Sequence, residues 1–287
     1  MIQLSLPFRI HIWGGLGSQL FALVYALRIQ RERPGRQIHL VLHTDGITRR
    51  EPDILRFKEF GFEVILKDDY RHRISSGPSS KRQFQITPRR IARQALTKVG
   101  IVADESMKKP KLWAYSVRGH YFGNRISYND IFTLFVLAKQ IGYLKDFKET
   151  SKSHTFIHYR LGDLLQLPEK GPISASRYFL ALKQLSAKGL GPTLLSSDSL
   201  EEAYSRLSTM VPDIRCVPTD SNAWEFLNFA IAAKVFIGSN SKLTLWAFIF
   251  RCLDGNFGDN YMPLEFRTWI EKKLPDELLV STTIHYF

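Results

Sequence analysis

The feature that most constrains the fold is a regular alternation between short apolar runs and segments with the period of an amphipathic helix. In the second half this alternation repeats four times, with apolar runs at residues 154–160, 193–197, 214–217 and 235–238. In the first half, runs at residues 8–13, 37–43 and 62–66 enclose two helical patterns. A β–α alternation is typical of parallel sheets covered by helices. We therefore predict an α/β fold made of two Rossmann-like domains that face each other across a cleft.

The predicted boundary between the two domains lies in a polar stretch at residues 146–153. It divides the chain into an N-terminal domain of residues 1–150 and a C-terminal domain of residues 151–287. Residues 67–110 are rich in polar and chain-breaking residues, which predicts an insertion over the first domain. The last residues, 284–287, are expected to return and pack on the first domain.

The positive charge of the chain is unevenly distributed. The net charge is +13, and residues 1–150 contain 26 Lys+Arg against 13 Asp+Glu, whereas residues 151–287 contain 14 of each. Basic clusters of this kind are attracted to anionic membrane surfaces and to nucleic acid. The alternative is a solvated face without a partner. We expect a basic, membrane-facing first domain and an electrically neutral second domain.

Composition narrows the class of protein further. No run of about 18 apolar residues is present, so no transmembrane helix is expected. The first residues predict a core strand, not a signal peptide. Two cysteines without metal-ligand spacing, and no glycosylation sequon, favour a reducing cytoplasm. No metal site is expected, because the acidic pair Asp68-Asp69 is followed directly by basic residues.

The strongest candidate site follows the apolar run at residues 154–160. His158, Arg160 and Asp163 occur within six residues, at the point where a strand ends at Gly162. Ligands of open α/β sheets bind at the carboxyl ends of strands, and a guanidinium binds phosphate through paired hydrogen bonds. The alternative is a structural Arg–Asp pair at a strand end.

Three further loops occupy equivalent positions. Gly14, Gly15 and Gly17 stand between a strand and a helix, where glycines allow close approach of an anion, although a tight turn is the simpler explanation. The Ser196–Asp198 and Gly238–Ser241 segments also follow strands. Their polar side chains suit either a nucleotide or helix capping, and the residues alone leave both alternatives open.

Taken together, these motifs resemble the α1,2-fucosyltransferases of glycosyltransferase family 11. Residues 12–21, IWGGLGSQLF, are similar to the GGLGNQLF start of that family, and residues 158–163, HYRLGD, to its HVRRGD segment. The family's G-Y-F, P-x-S-Y-Y, F-S-D-D and closing E-x-L to N-S-x-F-S-W-W segments resemble residues 119–122, 172–178, 196–198 and 225–246. The order and spacing agree over nearly the whole chain.

The resemblance implies a GT-B fold and a metal-independent, inverting transfer from a GDP-sugar. It assigns catalysis to Arg160, which would neutralise the donor β-phosphate, together with His158 and Asp163. The donor would contact Gly14, Gly15, Gly17, Asp198, Glu225, Ser239, Asn240 and Ser241. The acceptor would contact His120, Tyr121 and Glu169, with Asp163 the first and Glu169 the second candidate for the base. No cofactor is implied.

We therefore predict transfer of L-fucose from GDP-fucose to a glycan hydroxyl in O-antigen or capsule synthesis, by a cytoplasmic enzyme peripheral to the inner membrane. The acceptor would be a glycan or a lipid-linked oligosaccharide. Ser18, Leu161 and the single Trp246 depart from the family pattern, so a different nucleotide-sugar donor is an alternative. A non-enzymatic basic protein that binds nucleic acid is another, although the chain carries no RNA-recognition signature.

Overall fold

A computed structural model of the chain describes residues 6–44, 52–67, 92, 95–104, 114–147, 154–166, 171–186, 192–209, 211, 213–217, 222–256, 258–280 and 282–287. The chain forms two compact units, Met1–Asn124 and Arg125–Phe287. Each unit contains one parallel sheet, so the predicted α/β class is confirmed.

The sheet of the first unit has five strands. Their bounds are β1 Phe8–Trp13, β2 Ile38–His43, β3 Phe62–Lys67, β4 Val102–Asp104 and β5 Ser116–Arg118. They are arranged in the order β3-β2-β1-β5-β4, and every pair is parallel. Of these, β4 was not predicted and lies within the segment 67–110 that was predicted to be an insertion.

One helix, α1 Leu16–Glu32, follows β1 directly. Most of its residues are buried, which is why its sequence is apolar on nearly every face. A short 3₁₀ helix, Leu55–Phe60, occupies the second predicted helical segment and ends at Gly61, whose φ of 83° is left-handed. Most of the predicted insertion at residues 67–110 lies outside the described residues.

The sheet of the second unit has six strands. Their bounds are β6 Thr155–His158, β7 Thr193–Ser196, β8 Ile214–Cys216, β9 Val235–Ile237, β10 Asn260–Met262 and β11 Ile284–Tyr286. The order is β11-β10-β9-β6-β7-β8, and all pairs are parallel. Counted from β6, this is the 3-2-1-4-5-6 order of a dinucleotide-binding Rossmann sheet.

The helices of the second unit agree closely with the predicted segments. They are α2 Tyr128–Gln140, α3 Ala175–Ser186, α4 Leu200–Leu207, α5 Ala223–Ala232, α6 Lys242–Leu253, α7 Arg267–Lys273 and α8 Asp276–Leu279. The strand β6 is buried on both faces. Ile157 and Tyr159 join a hydrophobic cluster with Tyr178 of α3, while Phe156 and His158 meet Phe226 of α5.

Two predictions about the organisation of the chain differ from the structure. The division between the units falls after Asn124, not near residue 150, because α2 packs in the second unit: Phe135 contacts Phe250 and Lys139 pairs with Asp254. The tail was predicted to pack on the first domain. This prediction was wrong: β11 is the edge strand of the second sheet, paired with β10.

Candidate active site at the edge of the second sheet

The order of the second sheet marks one place for a ligand. Strands β6 and β9 are neighbours, but the chain runs outward from β6 through β7 and β8, and from β9 through β10 and β11. The connections leave β6 and β9 in opposite directions, which opens a crevice at their carboxyl ends. The loops that follow these strands, residues 159–163 and 238–241, are two of the four candidate loops that the sequence indicated.

Backbone hydrogen bonds hold the loop after β6 in place. The Arg160 N–H donates to Ser239 Oγ at 3.1 Å, which joins this loop to the loop after β9. The N–H groups of Leu161 and Gly162 donate to Asp198 Oδ1 at 2.8 and 3.0 Å. A Cβ at Gly162 would overlap the Asp198 carboxylate, so only glycine fits beside it. Asp198 therefore fixes the backbone that carries Arg160.

Arg160 itself is only partly buried, with 27% of its side chain exposed. Its Nε lies 4.0 Å from Asp198 Oδ2, at the limit of an ion pair. Because Asp198 Oδ1 already accepts two backbone hydrogen bonds, the carboxylate acts mainly on the loop. The alternative of a simple Arg–Asp pair is therefore met only in part: among the described side chains, Asp198 supplies a carboxylate beside Arg160.

His158 is the last residue of β6 and is buried, with 7% exposed. Its Nδ1 lies 2.7 Å from Thr244 Oγ1 on α6, and its ring packs on Phe226 with centroids 4.5 Å apart. Burial lowers the pKa of His158 to about 3, and the nearby Arg160 adds to this effect. The imidazole is thus uncharged at neutral pH.

The loop after β9 contains both a helix cap and a buried serine that hydrogen-bonds to the neighbouring residues. Ser241 is the N-cap of α6, and its side chain accepts from Leu243 N–H at 3.2 Å. The fully buried Ser239 donates its N–H to Thr244 Oγ1 at 3.0 Å, and its hydroxyl lies 3.4 Å from Asn240 Oδ1. The capping alternative is therefore correct for Ser241, while Ser239 links the two loops.

The remaining predicted residues of the second unit are distributed differently. Glu225 completes a capping box at the start of α5, where its carboxylate accepts from Asn222 N–H at 3.1 Å. Asp163 belongs to a short 3₁₀ helix, Gly162–Gln166, and its side chain lies outside the described residues. Glu169 also lies outside them. The roles predicted for these three residues stay predictions.

In the first unit, the predicted glycine loop also follows a strand, β1, which lies between β2 and β5 in the sheet. Gly14 has φ 96°, and a Cβ there would crowd Ser18 Oγ, so a glycine is required. Gly15 is the N-cap of α1, and Gly17 lies in its first turn. This geometry fits the tight-turn alternative, and contact of these glycines with a donor stays a prediction.

The G-H-Y-F-G segment follows β5 at the same edge of the first sheet. Tyr121 has a left-handed φ of 57°, is 2% exposed, and directs its hydroxyl to the His11 carbonyl at 2.8 Å. Its side chain therefore packs inside the unit, whereas His120 is exposed. The predicted contact of these two residues with an acceptor stays a prediction, and for Tyr121 this burial argues against it.

The sequence interpretation missed three residues that shape the site. Thr244 contacts His158, Phe226 packs on its ring, and the buried Tyr178 donates its hydroxyl to the His158 carbonyl at 2.9 Å. Burial raises the pKa of Tyr178, so it remains a donor. Thr244 lies five residues after Ser239, but nothing in that spacing reveals which side chain it faces.

The described residues contain neither a candidate metal site nor a helix that could span a membrane. No group of three or more His, Cys, Asp or Glu side chains among them could hold a metal ion. Among the helices that the structure describes, none has the length and apolar character needed to cross a membrane.

Comparisons with known proteins give remote structural similarity only. Neither the protein-family models nor the curated proteins include a match. Among solved structures, NodZ α-1,6-fucosyltransferase co-crystallised with GDP is 15% identical, covers 85% of this chain and 92% of its own, and has a TM-score of 0.42. E. coli heptosyltransferase WaaC with ADP is 12% identical over 97% of this chain and 93% of its own, with a TM-score of 0.42. E. coli ADP-heptose lps heptosyltransferase II is 11% identical over 98% and 90%, with a TM-score of 0.43. At sequence identities of 11–15% and TM-scores of 0.42–0.43, these similarities do not support a function for this chain, and only its own residues can do so.

Proposed function

We propose that this chain is a glycosyltransferase that binds a nucleotide-diphosphate sugar at the carboxyl ends of β6 and β9. One observation carries the proposal: Arg160, partly exposed, stands at the point where the connections of a 3-2-1-4-5-6 sheet diverge. Its backbone is fixed from both sides, by Ser239 directly and by Asp198 through the two following residues. The backbone that carries this cation is therefore held at the strand end where a phosphate would bind.

The chemistry of the transfer requires such a cation. When the bond between the sugar and the nucleotide breaks, negative charge develops on the β-phosphate oxygens. A fixed guanidinium and the N–H groups at the start of α6 stabilise that charge more in the transition state than in the ground state. Arg160 therefore assists departure of the nucleotide diphosphate without a metal ion.

For the donor, the proposal follows the family resemblance and names GDP-fucose. Residues 158–163 and 225–246 carry the resemblance to α1,2-fucosyltransferases, and these segments include the two loops that follow β6 and β9. Leu161 replaces the second arginine of the family motif. It is fully buried in the hydrophobic cluster behind β6, so this position supplies no second cation. UDP- and CMP-sugars are the rival donors.

The rest of the proposed function concerns the acceptor and the location. We propose inverting transfer to a hydroxyl of a glycan or lipid-linked oligosaccharide in O-antigen or capsule synthesis, by a GT-B enzyme. The excess positive charge in residues 1–150 supports attraction of the first domain to an anionic inner-membrane surface. Binding to anionic vesicles that is equal at low and high salt would contradict this part.

A donor panel tests the activity. The full chain is incubated with GDP-fucose, other GDP-sugars, UDP-sugars and CMP-sugars, with and without EDTA, and released nucleotide is measured. We expect release of GDP from GDP-fucose, unaffected by EDTA. Release from a UDP- or CMP-sugar alone would support the rival donor, and no release from any sugar nucleotide, combined with retention of DNA or RNA, would support the nucleic-acid alternative.

A further inference from the structure

The hydroxyl of Thr244 makes two hydrogen bonds inside the second unit. It accepts from Ser239 N–H at 3.0 Å, and it lies 2.7 Å from His158 Nδ1. Thr244 is fully buried, and these are the hydrogen bonds that its side chain makes among the described residues. A hydroxyl has one proton to donate. Oγ1 could accept a second hydrogen bond, but the proton of this buried hydroxyl would then have no acceptor among the described residues. We therefore assign that proton to His158 Nδ1.

A hydroxyl that donates to Nδ1 requires that nitrogen to be unprotonated. A neutral imidazole then carries its proton on Nε2. Burial against Phe226 and the charge of Arg160 both act in the same direction, since they disfavour a second proton on the ring. The Tyr178 hydroxyl fixes the His158 carbonyl at 2.9 Å, so the backbone of this residue is held as well.

We propose that Thr244 holds His158 in the Nε2–H tautomer, so that the site presents to the donor a neutral imidazole N–H beside the Arg160 guanidinium. His158 would then donate a hydrogen bond to an oxygen of the nucleotide diphosphate and would not act as the base. Thr244 is a positioning residue, because its side chain is fully buried and acts on the site through the His158 imidazole and the Ser239 N–H. The identity of the ligand in this inference rests on the proposed function, whereas the tautomer of His158 does not.

The arrangement has a physical advantage over a charged histidine. A protonated His158 would place a buried positive charge two residues from the Arg160 guanidinium, at a cost to the folded protein. A neutral N–H adds a directed donor without that repulsion. In metal sites, groups that orient an imidazole through its other ring nitrogen typically affect activity about 10- to 100-fold, and we expect an effect of this order here.

The tautomer is measured directly in the ligand-free full chain. Nitrogen-15 spectra of histidine-labelled protein distinguish Nδ1–H, Nε2–H and protonated rings, and the His158 signals are identified by their loss in the H158Q spectrum. We expect the Nε2–H pattern, unchanged between about pH 5 and pH 9, and a shift of the Nε2 signal when GDP is added. An Nδ1–H or protonated ring at pH 7 would overturn the proposal.

Two pairs of variants test the function of the N–H. A glutamine amide reaches the place of Nε2–H, whereas an asparagine amide reaches only the place of Nδ1. We therefore expect His158→Gln to retain activity within about tenfold, and His158→Asn to lose about 100-fold or more, the usual effect of removing one transition-state donor. Equal losses in both variants would contradict the proposal.

The second pair concerns the threonine. Thr244→Ser keeps the hydroxyl, and we expect its kcat to stay within about threefold of the wild type, whereas Thr244→Val should lose about tenfold or more and shift His158 from the pure Nε2–H pattern. Thermal unfolding of each variant shows whether it folds. If T244V does not fold, the spectrum of the wild type and the H158Q and H158N pair still decide the question. A failure of GDP to shift any signal, with the Nε2–H pattern intact, would contradict the proposed function and not the tautomer.

Discussion

Arg160 owes its position to its neighbours more than to its own side chain. Its N–H is held by Ser239, and the next two N–H groups are held by Asp198. The sequence predicted the right cation at the right strand end. It did not predict that Asp198 acts on this loop from the neighbouring strand, because a hydrogen bond between residues 37 positions apart leaves no local pattern.

Gly162 provides the sharpest prediction at the scale of a residue. A methyl group at this position would overlap the Asp198 carboxylate, which must then move away from the Leu161 and Gly162 N–H groups. We expect Gly162→Ala to lower the free energy of unfolding by about 1–3 kcal/mol, as overpacking does, and to weaken nucleotide binding. Chemical denaturation and calorimetric titration with GDP measure the two effects.

The matched control is Gly171→Ala, since among the described residues no atom beyond its chain neighbours lies within 4 Å of where the added methyl group would be. We expect the unfolding midpoint and the GDP affinity of this variant to match the wild type. Equal behaviour of the two alanine variants would mean that the contact between Gly162 and Asp198 does not constrain the loop.

At the scale of elements, periodicity predicted nearly every long helix and strand of the second unit. The helix α4, for example, has a clear apolar face, and its predicted and observed bounds are both Leu200–Leu207. The strands β4 and β10 were not predicted, although the equally short β8 and β9 were, so strand length alone does not account for the difference. The tail was misplaced for a different reason: the sequence of β11 shows a strand, but not which sheet it joins.

The link between β6 and β7 gives a prediction at this scale. Asp198 follows β7 and accepts two backbone hydrogen bonds from the loop after β6. It therefore has two possible roles, holding this loop in place (bracing) or contacting the nucleoside. Asp198→Asn keeps an oxygen acceptor for the two N–H groups. If bracing dominates, we expect stability to change by less than about 1 kcal/mol and GDP affinity to fall by less than about threefold.

Asp198→Ala removes the acceptor altogether and should cost about 1–3 kcal/mol, because the Leu161 N–H loses its partner. Denaturation curves and GDP titrations of both variants decide between the two roles. A large loss of affinity in the asparagine variant at unchanged stability would show that Asp198 acts chiefly on the ligand.

At the scale of the whole molecule, buried histidines make stability depend on pH. Burial lowers the pKa of His11 in the first unit and of His158 in the second to about 3 each. An unfolded histidine titrates near 6.5, so between about pH 3 and pH 6.5 the unfolded chain binds more protons than the folded one. Stability is therefore complete above about pH 6.5 and is lost as the pH falls.

The expected loss is about 1.4 kcal/mol per pH unit for each histidine below its unfolded pKa. Denaturant unfolding at pH 7.5 and pH 5.5 measures it, and His158→Gln should reduce the dependence in the transition of the second unit. A stability that is constant or rises between pH 7.5 and pH 5.5 would show that these histidines are already protonated in the folded protein.

The central claim is that Arg160 binds the diphosphate of a nucleotide at the carboxyl ends of β6 and β9 in the second sheet. Calorimetric titration of GDP into the wild type, R160A and the control R267A tests it most directly, since Arg267 is an exposed arginine that pairs with Glu271 on α7. We predict that R160A weakens GDP binding by about tenfold or more while R267A binds as the wild type does. Equal GDP affinity in all three proteins, or no binding by the wild type, would contradict the claim.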